Sequence, residues 1–127
     1  MTRIEVNLSS EYGIMFVYDP KSAVTIPPEA GVEAVMSTPT CVAFSVLSYV
    51  DGDAKVVLCE SPDDARCIEY FSGKLACPSN SLSLFDHNGF AFASVPLKDG
   101  YADVSIRMSE KTNPDVVECV ISNIASF

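Results

Sequence analysis

An antiparallel β-sandwich is what three features of this sequence predict. Short β-prone runs follow one another at close spacing, several with clean period-two alternation. Glycine- and proline-bearing turn motifs separate them. Helical periodicity is confined to one brief stretch. The expected architecture is all-β, Greek-key or jelly-roll-like in order, with at most one short helix between strands 2 and 3. The 127 residues, 48% of them hydrophobic, suit a single domain spanning 1–127 with a true core.

Taken in order, Ile4, Val6 and Leu8 alternate with Arg3, Glu5 and Asn7 as a half-buried opening strand. Residues 12–18 form the next, with Ile14, Phe16 and Tyr18 on one face and Met15 and Val17 on the other, stopped by Asp19-Pro20. Residues 19–40 are too long for a bare loop. Within them Pro27 and Pro28, Glu29, and Val32, Val35 and Met36 at helical spacing predict a short helix over 27–36.

Residues 41–60 carry the densest β signal, and a buried central hairpin is expected there. Cys41, Val42, Ala43 and Phe44 open a run that is apolar on both faces, which places it inside a sheet rather than at an edge. Asp51-Gly52-Asp53 breaks the run, and residues 54–59 resume it; Asp-Gly between two such runs is a strong hairpin signal. Ser61-Pro62-Asp63-Asp64 makes a turn, residues 66–71 a strand, and residues 74–77 a separate short strand after Ser72-Gly73. Residues 81–85 and 90–95 flank Asn88-Gly89, the second strong hairpin signal. Ala102, Val104, Ile106 and Met108 face inward from the most regular alternation in the chain, and a final strand covers 116–125. The total is about nine strands.

Seventeen Asp and Glu against eight Lys and Arg leave a formal net charge of −9. That balance repels nucleic acid and anionic membrane surfaces and favours a basic protein partner. The N-terminal residues lack the apolar segment of a signal peptide, and no apolar run is long enough to span a bilayer, so a cytoplasmic location is expected. Five cysteines without Cys-x-x-Cys spacing read as buried, reduced side chains.

Catalytic and metal-binding patterns are sparse. A Cys-His pair would need a thiolate beside the single histidine, His87, which any cysteine could in principle supply. Turn histidines, however, are usually exposed and strand cysteines usually core, and the cysteines are not spaced as zinc ligands. Asp51-Gly52-Asp53 lacks the remaining ligands of a calcium loop. No enzyme, cofactor or metal is expected. Two acidic clusters stand out as candidate partner-binding residues: Asp51 and Asp53 at one turn, and Glu60, Asp63 and Asp64 at another. They lie at opposite ends of the strand between them, roughly 20 Å apart at ~3.3 Å per residue. The second is the denser, and its carboxylates are expected to contribute more to docking. The alternative is that both clusters are solvated turns.

The order of features resembles the competence protein J family. The segments that carry the likeness are Tyr12-Gly13-Ile14-Met15-Phe16-Val17, the proline-containing 27–36, Val42-Ala43-Phe44-Ser45, Gly52-Asp53-Ala54-Lys55-Val56, residues 65–71 with Ala65, Arg66, Ile68 and Phe71, and Val95-Pro96-Leu97-Lys98-Asp99-Gly100-Tyr101. The resemblance implies a small acidic β protein that inhibits a DNA-entry nuclease. With the charge, it points to an acidic protein-binding module, a cytosolic inhibitor or immunity-type protein for a basic nuclease or toxin. The alternatives are a β-sandwich that binds a sugar or lipid, and a structural module that oligomerises through an exposed strand edge.

Overall fold

The computed structural model describes residues 2–125. In chain order its strands are β1 (Arg3–Leu8), β2 (Ile14–Tyr18), β3 (Val35–Thr38), β4 (Cys41–Ser45) and β5 (Ala54–Cys59). They continue as β6 (Ile68–Ala76), β7 (Ser81–Phe85), β8 (Ala91–Pro96), β9 (Tyr101–Met108) and β10 (Val116–Ile121). One sheet has the order β1-β5-β10-β9-β6 and the other β3-β4-β2-β7-β8. Every neighbouring pair is antiparallel except β5 and β10, which run parallel. The chain is thus an all-β sandwich of two mostly antiparallel sheets.

Period-two alternation builds the core. Met15, Val17, Val42 and Phe44 of the second sheet meet Val56, Leu58, Val104, Ile106 and Val117 of the first, each no more than 1% exposed. Burying each such side chain stabilises the fold by ~1.5–3 kcal/mol. Ala102, Val104, Ile106 and Met108 are buried as their alternation requires.

Three local expectations are corrected. The helix over 27–36 does not form. The local bonds within it are i→i+3, Ala30 N–H to Pro27 O and Val32 N–H to Glu29 O at 3.1 Å each, and Gly31 adopts φ +95°, outside any right-handed helix. Val35 and Met36, read as helical, open strand β3 instead.

Residues 41–60 are not a hairpin. β4 is flanked by β3 and β2, and β5 by β1 and β10, so neither has a free edge for the other. The connection 46–53 therefore changes sheets, through a turn in which Gly52 holds φ +131°. The inference from two apolar faces to interior strands holds; the inference to pairing does not. Residues 68–76 form one strand that passes through Ser72-Gly73 with a register shift between Glu69 and Phe71.

Strand directions explain the two long connections. β1, β4, β7 and β9 end at one end of the sandwich, where the other six strands begin. β2 and β3 both run antiparallel to β4, so the chain must return the length of the sheet between them, which residues 19–34 do. Likewise β5 and β6 run the same way, and residues 60–67 carry the chain back. Same-sense strands require such crossovers, most often helical. Both here are irregular, and each buries part of a sheet's outer face.

Candidate partner-binding surface

The turn after β5 is held from below by a buried charge. Glu118, the one acidic residue in the apolar run of β10, is 0% exposed. Its Oε2 accepts hydrogen bonds from the backbone N–H groups of Asp63 and Asp64, both 3.0 Å. Its Oε1 lies 3.6 Å from Arg107 Nε across the β9–β10 register, and the Arg107 Nη2 donates to Cys67 O at 2.6 Å. A charge so placed must be paired and bonded to be tolerated. Here the bonds also fix the path of residues 63–67.

This geometry presents Glu60, Asp63 and Asp64 with much of their charge already answered. Asp63 Oδ2 lies 3.4 Å from Arg3, and Glu60 Oε1 accepts the Thr2 N–H at 3.2 Å. Asp64 accepts from the Arg66 amide at 2.9 Å and from its guanidinium at 3.3 and 3.4 Å, and these bonds hold its carboxyl below the ordinary aspartate range. Asp51 and Asp53 stand at the other end of β5, exposed, with no ion pair among the described residues. Glu60 stays at the far end of β5, whereas Asp63 and Asp64 are drawn back over the middle of the sheet by Glu118.

The end that carries Asp51 and Asp53 has further features. Ser10 and Ser48 form a parallel bridge, and the Tyr49 N–H donates to Ser10 O at 2.7 Å, tying the 9–13 and 46–53 loops together. Tyr12 is 67%, Tyr49 56% and Val50 74% exposed. An open cleft of about 560 Å³ runs beside Tyr12, Val32, Glu33, Ser48 and Lys111. His87 packs edge-on against Tyr12 with ring centroids 4.2 Å apart, and its Nε2 lies 3.6 Å from Glu11.

All five cysteines are buried. Burial pushes the Cys41 thiol up to about 12 and those of Cys59, Cys67 and Cys77 to about 11, and it raises Cys119 as well. These thiols stay protonated at neutral pH and are poor nucleophiles. Among the described residues no group of three His, Cys, Asp or Glu side chains is placed to hold a metal ion. No helix there is long and apolar enough to cross a membrane.

Sequence reasoning did not single out Glu118, Tyr12 or Tyr49. A lone acid inside Val116-Val117-Glu118-Cys119-Val120 was the available signal for the first. The tyrosines gave none, since Tyr49 reads as a continuation of its strand.

No family model and no curated protein matches this chain by sequence. Solved structures do match by fold. ComJ from Bacillus subtilis, described as the inhibitor of the DNA degrading activity of NucA, is similar over 93% of this chain and 95% of its own, with TM-score 0.61 and 13% identity. The product of crocagin biosynthetic gene J is similar over 94% and 98%, with TM-score 0.53 and 12% identity. The likeness covers both sheets, and at these identities it is a likeness of fold.

Proposed function

We propose that this protein is an inhibitor-type binding module that occupies a basic nuclease or toxin and has no catalytic activity of its own. The observation that carries the reading is the whole-chain fold shared with a nuclease inhibitor, in a protein whose own net charge is −9. The chemistry is substitution of one anion for another. A site lined with lysine and arginine to hold phosphates also holds carboxylates, and complementary potentials speed encounter. The carboxylates available for this are Asp51 and Asp53 at one end of β5, Glu60 at the other, and Asp63 and Asp64 on the crossing that follows. The cytoplasm, where such an inhibitor protects its own cell, is the proposed location.

The test is DNA cleavage by NucA, and by the basic nuclease encoded nearest this protein's gene, with the protein added in increasing ratio. Cleavage is expected to fall to background near one equivalent, and the inhibition to weaken as salt screens the charges. Unchanged cleavage by both enzymes at tenfold excess rejects the nuclease reading.

A further inference from the structure

The two ends of the sandwich differ in what they expose. Among the described residues, the large apolar side chains left in solvent are Tyr12, Val32, Tyr49, Val50, Ile68 and Phe90, together with Ile26. The first six all lie in loops or at strand boundaries of the end where β1, β4, β7 and β9 finish; Ile26 alone sits along the crossing 19–34. Scattered exposed hydrophobics are ordinary, whereas concentration at one end marks an interaction surface.

Charge follows the same division. The loops of the apolar end bear Glu11, Glu33, Asp51, Asp53, Asp86, Glu110 and Asp115 against Lys111, with His87 beside Glu11 and Arg66 reaching Asp115. Glu33, Asp51 and Asp53 are exposed and without ion pairs among the described residues. Away from that end, Arg3 meets Asp63 and Asp19 is buried under four hydrogen bonds, and over the middle of the sheet Arg66 meets Asp64 and reaches on to Asp115. Glu60 lies roughly 20 Å from Asp53 by strand rise, while Asp63 and Asp64, bonded to Glu118 opposite Val57, stand over the middle of the sheet. What separates the carboxylates is how they are held: Asp63 and Asp64 are engaged by Arg3 and Arg66, whereas Asp51 and Asp53 are not.

We propose that the end bearing Tyr12, Tyr49 and Val50, ringed by Glu33, Asp51 and Asp53, is the face that seats a basic protein partner. The proposal rests on the inhibitor reading and selects one of its two acidic clusters. Exposed tyrosines supply large contact area at small entropic cost, and tyrosine is enriched among residues that dominate binding energy. The unpaired carboxylates at the rim meet lysine and arginine on the partner without first giving up an internal partner. The backbone ties between the 9–13 and 46–53 loops hold Tyr12 and Tyr49 in place before binding, which lowers the ordering cost.

The test uses the full chain carrying photoreactive benzoylphenylalanine in place of Tyr49 or, separately, of Asp63, irradiated in the cell of origin. Position 49 is expected to yield an adduct with a basic protein and position 63 none. That protein is then purified and titrated with the parent and three double variants. Tyr49→Ser with Val50→Ser is expected to raise the dissociation rate at least tenfold. Asp51→Asn with Asp53→Asn should slow association severalfold at low salt, and Asp63→Asn with Asp64→Asn should stay within twofold of the parent. All six positions face solvent or lie on turns, and unchanged circular dichroism verifies the fold of each variant. No adduct from position 49, an adduct with a non-basic protein, or a larger loss from the 63/64 pair than from the 51/53 pair overturns the proposal. Whether the captured protein cuts DNA is read separately. A basic partner without nuclease activity rejects the nuclease reading and leaves the docking face standing.

Discussion

The two crossing connections solve the same problem by opposite means. Residues 60–67 lie over the outer face of the first sheet, and residues 19–34 over that of the second. The shorter crossing is fastened by charge: Glu118 binds two of its amides, and Arg107 binds the Cys67 carbonyl. The longer one covers an apolar patch of Phe16, Cys41, Ala43 and Phe85, with Ala30 packed on it and Tyr18 stacked on Phe85 at 4.0 Å. Its polar ties sit nearer its start, at Asp19 and at Thr25, where the Thr25 N–H donates to Thr40 Oγ1 and its carbonyl accepts from Thr38. A directional anchor sets the position of individual atoms, whereas an apolar cover tolerates sliding. The first kind suits a segment that must hold a fixed path in few residues.

Removing the anchor is the severest way to break this contrast. Glu118→Ala takes the carboxylate from Arg107 and leaves two amides unpaired, and a loss of ~3–5 kcal/mol is expected in chemical denaturation. Cys59 and Cys67 lie under or within this crossing and Cys41 under the other. Thiol labelling should therefore accelerate at Cys59 and Cys67 and stay near the parent rate at Cys41. Uniform acceleration at all three would show that the crossings are not independent.

Phe85→Ala tests the apolar cover. It is expected to cost about 3 kcal/mol, the low end for buried phenylalanine, because the overlying segment can settle into the space. Labelling of Cys41 should now rise while Cys67 is spared.

Asp19 gives the longer crossing a pH dependence. Burial pushes its carboxyl up, but hydrogen bonds from the Ser79 hydroxyl, the Lys21 and Ser79 amides and the Ser22 hydroxyl outweigh this and hold it below the ordinary value of 3.8. A lowered folded value means the stabilisation is complete above the unfolded value and is lost as pH falls through the folded one. Asp19→Ala should cost ~1.5–3 kcal/mol at neutral pH, and the difference from the parent should shrink below about pH 4. A pH-independent difference in denaturation midpoint would reject this account.

The smallest effect is expected at Gly31. Its φ of +95° disfavours any side chain, while Ile14 Cδ1 at 3.6 Å leaves room for a methyl group, so strain alone acts. Gly31→Ala should lower stability by about 1 kcal/mol. A stabilised variant would mean that the stretch turns helical once the glycine is gone.

Signals that reside within a few residues were readable in advance. The alternation of residues 101–108 and the Asn88-Gly89 turn both report local backbone and burial preferences, and both hold. Partner choice between strands is not local. β4 and β5 look like a hairpin until β3, β2, β1 and β10 occupy their edges. The same limit applies to the candidate surface. Asp63 and Asp64 are the densest carboxylates along the chain, yet Arg3, sixty positions away, and the buried Glu118 determine how they are held. The exposure of Tyr49 and Val50 depends on the strand ending at Ser45, earlier than the apolar run suggests.

The place of β10 has a consequence for biosynthesis. It lies between β5 and β9, and Cys119 is sixty residues downstream of its neighbour Cys59. Until residues 116–121 leave the ribosome, β1–β5 and β9–β6 are two separate ribbons with unsatisfied edges facing each other. Joining them is a long-range, late and therefore slow event. The nascent chain exposes strand edges for the whole of that interval, the stage at which aggregation competes with folding.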